Sequence, residues 1–195
     1  GPDDLYDYSS QLGCIGNGRL SIIDVEGGHQ PLVSDDGRIA VVQNGEIFNF
    51  VELGDELRRD GVTFRTKSDT EIILRLYEKY GIDCVARLNG MFAIAIQDLN
   101  QNCLHLIRDR VGVKPLYVAD IDGCVFFASE IKALFPAGLR QRVDRQAIDQ
   151  FLSFNYIPLP RTIFEGVRHV MPGTILSVSS TGTRSTRWWD LANVQ

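Results

Sequence analysis

A mostly apolar segment, residues 91–97, sets the architecture that this chain can adopt. The six residues from Met91 to Ile96 are all apolar. Side chains of an extended strand point alternately to its two faces, so a strand of this composition has to be covered on both sides. A chain of 195 residues that is 44% hydrophobic is long enough for one domain and can fill its core. With helix patterns before and after it, the segment predicts an α+β fold of stacked sheets with helical outer layers.

Other short apolar runs, several bounded by turn-forming residues, predict further strands. Asp122-Gly123 lies between two of them and is typical of a hairpin turn. The predicted strands span residues 38–43, 62–65, 91–97, 104–107, 116–119, 125–128, 175–178 and 183–188.

Three helices are predicted from capping residues that precede apolar side chains at helical spacing. Asn49 with Glu52 and Ser68 with Glu71 fit the capping-box pattern. Asp144 is a third N-cap candidate, ahead of an apolar helix face. Beyond residue 140 prolines become frequent, and we interpret residues 141–195 as a connector or peripheral segment after a main domain of residues 1–140.

Charge and cysteine usage exclude several classes of function. A net charge of −5 argues against nucleic acid or an anionic membrane as the partner. No apolar run approaches the roughly 20 residues of a membrane-spanning helix, and we expect a cytoplasmic protein. The four cysteines are far apart, which predicts reduced, mostly buried thiols and no metal site. The three histidines show no triad or metal spacing.

Seven short motifs follow one another in order along the chain. They are G-P-D-D at Gly1, R-L-S-I-I-D at Arg19, N-G-E-I-F-N at Asn44, S-D-T-E at Ser68, G-M-F-A at Gly90, R-D-R-V-G-V-K-P-L-Y at Arg108 and A-S-E-I-K-A-L at Ala128. Together they resemble the N-terminal class II glutamine amidotransferase domain of glutamine-hydrolysing asparagine synthetases. A further stretch, Y-I-P-L-P-R-T-I-F-E-G, resembles the connector of these enzymes.

This resemblance implies a four-layer αββα sandwich of the N-terminal-nucleophile hydrolase type that hydrolyses the side-chain amide of glutamine. The nucleophile of the family is a cysteine at the first position of the mature chain, and its own amino group can serve as base. This sequence begins Gly1-Pro2, so we expect the nucleophile and the first strand to be absent and the chain to be inactive alone. Cys14 has no free amine and is not a substitute.

The same resemblance assigns the glutamine site. Asn44 and the backbone N–H of Gly45, on an expected strand-to-helix turn, would form the oxyanion hole. Arg19 would hold the α-carboxylate, while Glu46 and Asp69 would face the α-ammonium group. Asp69 also suits a purely structural role at a helix N-terminus. The backbone of Leu20, Ser21, Ile22 and Ile23 would line the same pocket.

Partners follow from the resemblance as well. L-glutamine is the expected ligand, and the ammonia would pass to a synthetase domain of the same polypeptide that amidates aspartate with ATP and Mg²⁺. No cofactor is expected in this chain, and a homodimer is compatible with the family. Two alternatives stay open: a non-catalytic glutamine-binding or regulatory module, and a class II amidotransferase with another acceptor. The charged residues between Arg108 and Lys114 are assigned either to a solvated face or to a structural or interface role.

Overall fold

The structure, a computed structural model, describes residues 4–19 and 28–193, without the side chains of residues 4 and 19. In these ranges the helices are α1 (Phe50–Arg59), α2 (Asp69–Tyr80) and α3 (Arg145–Phe154), with 3-10 helices at Gly81–Arg87, Ile131–Leu134 and Leu191–Asn193. The strands are β1 (Asp4–Ser10), β2 (Gly13–Arg19), β3 (Leu32–Val33), β4 (Ile39–Ile47), β5 (Gly90–Asp98), β6 (Cys103–Arg108), β7 (Tyr117–Ile121), β8 (Cys124–Ala128), β9 (Val167–His169), β10 (Thr174–Ser179) and β11 (Gly182–Arg187).

A six-stranded sheet in the order β11-β10-β6-β5-β4-β3 forms the centre of the molecule. Strand β5 contains the apolar segment and is antiparallel to β4 and β6 on its two sides. Its Ile94 and Ile96 belong to a core shared with α1 and α2, while Ala93 and Ala95 belong to a second core on the opposite face. The prediction that this strand is covered on both faces is confirmed.

A three-stranded sheet, β8-β7-β9, provides the next layer. Leu116, Val118 and Phe127 project from it into the second core, against the six-stranded sheet. A third core lies on its outer face, where the 3-10 helix Ile131–Leu134 contributes Leu134. The β1-β2 hairpin pairs separately and adds Ile15 to the second core. The layers are therefore helix, sheet, sheet and a thin helical cover, as predicted.

The helix predictions are confirmed in position and partly corrected in detail. Helix α2 follows Ser68, whose side chain accepts a hydrogen bond from Thr70 N, and α3 follows Asp144, which caps it through two backbone N–H groups. Asn49 precedes α1 but makes no capping bond. Its side chain bonds Arg87 O (3.0 Å) and Asn89 N (2.9 Å) instead.

The strand predicted for residues 62–65 is wrong, because no strand forms there. The N–H of Val62 donates to Leu57 O at the end of α1 (2.9 Å), and Arg65 N donates to the Glu71 carboxylate (3.0 Å). Phe64 lies under the Arg58 guanidinium, 5.0 Å from its ring centre. The end of α1 and the Glu71 side chain thus accept the backbone hydrogen bonds that a neighbouring strand would otherwise accept.

Residues 141–195 contribute strands to both sheets. Strand β10 pairs with β6, and β9 pairs with β7. By contrast α3 buries little: Ala147 is buried, whereas Phe151 and Leu152 are exposed. The interpretation of this segment as a lead toward another domain stays a prediction. Within the described part of the chain, no helix is long and apolar enough to span a membrane.

Candidate functional site

A cleft of about 930 Å³ opens along the edge of β4 and extends between the two sheets. In the described part of the chain, strand β3 pairs only with Ala40 and Val41 of β4, and the β4 residues beyond them line this space. The lining combines a polar rim at β4 with an apolar interior. It comprises Gly16, Asn17, Gly18, Gln30, Val42, Gln43, Asn44, Gly45, Glu46, Ser68, Asp69, Ala93, Ile94, Ala95, Lys114, Leu116, Phe127, Ala128, Ser129, Glu130, Lys132 and Ala133.

Backbone groups of β4 point into this cleft at every second residue. Gln43 N donates to Gln30 Oε1 (2.6 Å), and Ile47 N donates to Asp69 Oδ2 (3.0 Å). Gly45 lies between them, so strand alternation directs its N–H to the same edge. In agreement, the backbone of Phe92, which faces Gly45 across the ladder, is bonded to Asp109: Phe92 O accepts from Asp109 N, and Phe92 N donates to Asp109 Oδ2. The predicted donor Gly45 N–H is therefore aimed at the cleft.

Asn44 and Gly45 lie within β4, opposite Ala93 and Phe92, and not at the expected strand-to-helix turn. The turn comes later, after Ile47, because the apolar β5 extends the ladder through both residues. Gly45 has φ +148, and a Cβ there would lie 2.0 Å from Met91 O. Only glycine fits at this position.

The side chain of Asn44 links the two sheets at the mouth of the cleft. Its Nδ2 donates to Ser129 Oγ, which follows the end of β8, at 3.0 Å. An amide group carries two N–H bonds, and this contact uses one of them. Among the described residues, the second N–H has no hydrogen-bond partner. Ser129 was not among the predicted site residues.

Asp69 holds α2 against β4. It is the first residue of α2, is 4% exposed and accepts Gln43 Nε2 (2.7 Å) together with Ile47 N (3.0 Å). A carboxylate is favoured there because the helix N-terminus is electropositive. The structural role considered for Asp69 is thus present, and its position in the cleft keeps the ligand role available. Glu46, half-buried on β4, adds a second carboxylate to the lining.

The structure describes only the backbone of Arg19. It closes β2, paired with Asp4, and the preceding residues Gly16, Asn17 and Gly18 line the cleft. The Arg19 side chain lies outside the described residues. Leu20, Ser21, Ile22 and Ile23 also lie outside them, so these five assignments stay predictions.

Two side-chain amides at the rim were missed by sequence reasoning. Asn17 Nδ2 donates to Gln30 Oε1 (2.8 Å) and to Gln43 O (3.0 Å). Gln30 Oε1 in turn accepts from Gln43 N. The two amides therefore replace a neighbouring strand along β4. An isolated Asn or Gln carries no sequence signal for such a role.

The charged residues between Arg108 and Lys114 form a buried structural cluster and not a solvated face. Arg108, 5% exposed, donates to Val170 O (2.7 Å), Lys114 O (2.9 Å) and Gly112 O (3.0 Å). Asp109 is fully buried and accepts the N–H groups of Phe92, Val111, Val113 and Lys114. Of the two interpretations, the structural one holds.

No thiol lies among the described residues that line the cleft. Cys84 and Cys103 are buried as predicted, whereas Cys14 and Cys124 are exposed, and all four are free. Burial raises the pKa of Cys84 to about 12, which keeps it protonated. Cys14 lies on β2, five residues before Arg19 on the same strand, as expected for a residue unsuited to nucleophilic attack. In the described ranges, no group of three or more His, Cys, Asp or Glu could hold a metal ion.

Stacked sheets between helices, with a polar strand edge at a deep cleft, define a fold class that solved structures share. The structure titled as the allosteric regulatory enzyme of purine biosynthesis has a TM-score of 0.69 and 25% identity, and the match covers 91% of this chain and 35% of that one. Glutamine phosphoribosylpyrophosphate amidotransferase from B. subtilis has the same fold, with a TM-score of 0.63 and 23% identity over 91% of this chain and 35% of its own. The fold is the sandwich of the N-terminal-nucleophile hydrolases.

Sequence comparison then gives the family. A family model described as a glutamine amidotransferase domain matches residues 1–189, and the chain belongs to this family. Asparagine synthetase [glutamine-hydrolyzing] 1 of Bacillus subtilis is 41% identical over 194 residues, which are 99% of this chain and 30% of that protein. Asparagine synthetase [glutamine-hydrolyzing] 1 of Arabidopsis thaliana is 41% identical over 135 residues, or 69% of this chain and 23% of that protein. The chain spans less than a third of the length of these relatives.

Proposed function

We propose that the cleft binds L-glutamine and that the protein hydrolyses its side-chain amide to release ammonia. The observation that carries this proposal is the convergence of Asn44, Gly45, Glu46 and Asp69 on one cleft, although Asp69 is 23 residues or more from the others in sequence. Amide donors beside carboxylates suit a ligand with a carbonyl to polarise and an ammonium group to neutralise.

The two ends of glutamine are assigned as follows. The free N–H of Asn44 and the N–H of Gly45 donate to the amide oxygen as negative charge develops on it. Glu46 and Asp69 accept from the α-ammonium group. Arg19, at the end of β2 beside the cleft-lining residues 16–18, binds the α-carboxylate by a two-point contact.

Hydrolysis also requires a nucleophile next to Asn44. We assign it to the terminal cysteine that the resemblance implies, whose amino group removes the thiol proton. The thiolate adds to the amide carbon, ammonia leaves after protonation of its nitrogen, and water then cleaves the thioester to give glutamate. Without that cysteine, the cleft binds glutamine but does not turn it over.

The use of the ammonia is proposed from the relatives, which are named as glutamine-hydrolysing asparagine synthetases. A further domain would amidate aspartate with ATP and Mg²⁺ in the cytoplasm. The exposed apolar residues of α3, Ile148, Phe151, Leu152 and Phe154, support a surface for such a domain. We call this surface the α3 face.

Calorimetry with L-glutamine tests the binding step. Glu46→Gln removes a carboxylate from the cleft and should weaken glutamine about ten-fold or more, since a charged hydrogen bond contributes about 1.5–3 kcal/mol. Glu52→Gln makes the same change on the exposed side of α1 and should bind like the wild type. Equal affinities of the two variants would contradict the site. Hydrolysis is tested separately, by measuring the release of glutamate from glutamine by a polypeptide that carries the terminal cysteine.

A further inference from the structure

Two buried charged side chains, those of Arg108 and Asp109, form hydrogen bonds to the backbone of Lys114. Asp109 Oδ2 accepts Lys114 N at 2.9 Å, and Arg108 Nε donates to Lys114 O at 2.9 Å. The two charged side chains are 5% and 0% exposed. Burial lowers the pKa of Arg108, the expected cost of holding a cation in this position.

The loop between these residues has little freedom to move Lys114. Gly112 has φ +74, and a Cβ there would lie 2.8 Å from Pro172 Cγ. Arg108 also donates to Gly112 O, and Asp109 accepts Val113 N. The backbone on both sides of Lys114 is therefore fixed to the same buried pair.

The residue held in this way lines the candidate cleft. Lys114 is half-buried, and among the described residues it has no acidic partner. Other lysines differ: Lys79 pairs with Asp60, and Lys132, which lines the same cleft, pairs with Glu130 at 2.5 Å. An ammonium group without a counter-ion at a concave site is suited to an anionic ligand group.

Strand register places the segment that contains Lys114 near the Asn44 end of the proposed glutamine site. Tyr117 pairs with Ala128, so the residues just before Tyr117 and just after Ala128 lie at the same end of the β7-β8 hairpin. Ser129 is at that end and accepts the hydrogen bond from Asn44. Lys114, three residues before Tyr117, therefore lines the cleft from the three-stranded sheet, on the side of Asn44.

From these contacts we infer that Lys114 binds negative charge at the side-chain end of the ligand. It would donate to the amide oxygen as charge develops there and to the γ-carboxylate of the product glutamate. This inference rests on the proposed function.

Comparison of two ligands on the same chain tests the inference without turnover. L-glutamate carries a γ-carboxylate where L-glutamine carries a neutral amide, and the two are otherwise alike. Lys114→Met should weaken L-glutamate about ten-fold to a hundred-fold in calorimetry and leave L-glutamine within about two-fold. Lys114→Arg should keep most of the L-glutamate affinity. Lys79→Met, with the same loss of charge outside the cleft lining, should alter neither ligand.

The outcomes separate the two proposals. Equal weakening of both ligands by Lys114→Met would place Lys114 at the α-carboxylate and overturn the inference. Unchanged affinity for both would overturn it as well. If the wild type binds neither ligand, the proposed function itself fails. Circular dichroism of each variant shows that the fold is retained, as expected for a half-buried lysine whose backbone contacts are kept.

Discussion

A side chain at position 45 would collide with the neighbouring strand. A Cβ on Gly45 would lie 2.0 Å from Met91 O and 2.7 Å from Phe92 Cα, at a φ of +148. Gly45→Ala should therefore lower the free energy of unfolding by about 2–4 kcal/mol, from steric overlap together with backbone strain. Urea titration measures this difference. Gly182→Ala is the matched control, because φ is +120 there and nothing lies within 4 Å of the added carbon. Equal losses in the two variants would show that strand contact is not the cause.

Single residues also show what could be read from the sequence at the site. Asn44 and Asp69 were found because each lies in a recognisable motif, and the structure brings them to one cleft. Asn17 and Gln30 were not found as site residues. Their amides act by replacing a strand partner of Gln43, which depends on a chain crossing that no local pattern records.

At the scale of elements, prediction succeeded where burial on both faces gives a strong pattern, as in β5. It failed for residues 62–65, where the buried Glu71 takes up the backbone N–H groups of Arg65 and Thr66. Helix α3 was predicted in position, but the partner of its apolar face was not. Its cap at Asp144 was evident, but an apolar helix face does not tell whether the surface that covers it belongs to the same domain.

The α3 face leads to a prediction about this helix. Leu152 is 75% exposed, so Leu152→Ser should change the stability of this chain by less than about 0.5 kcal/mol. In a longer polypeptide with the further domain, the same change should cost about 1 kcal/mol or more, because apolar area is then buried. Thermal unfolding of both forms measures the difference. Asp149→Ser, an exposed polar position on α3, should be neutral in both, and a neutral Leu152→Ser in the longer form would exclude this face as the docking surface.

Across the whole molecule, one buried and one half-buried histidine couple the folded state to pH. His105, 5% exposed, donates or accepts at Ser177 Oγ (2.8 Å), and burial lowers its pKa. His169 packs on Tyr117, with ring centres 4.5 Å apart. Burial and the charge of Arg108 lower its pKa to about 4. Both positions therefore favour the neutral imidazole in the folded protein.

The sign of the pH dependence follows from these lowered pKa values. Between pH 6.5 and about 4 the unfolded chain binds protons at His169 that the folded chain does not, so stability falls as the pH falls through this range. The loss from His169 should be roughly 1–2 kcal/mol at pH 5, after allowance for its partial exposure. His169→Phe keeps a ring against Tyr117 but cannot take up a proton, so its free energy of unfolding should fall less between pH 7 and pH 5. Urea titrations of both proteins at these two pH values measure the effect. Parallel losses in the wild type and the variant would mean that the acid sensitivity arises at other groups.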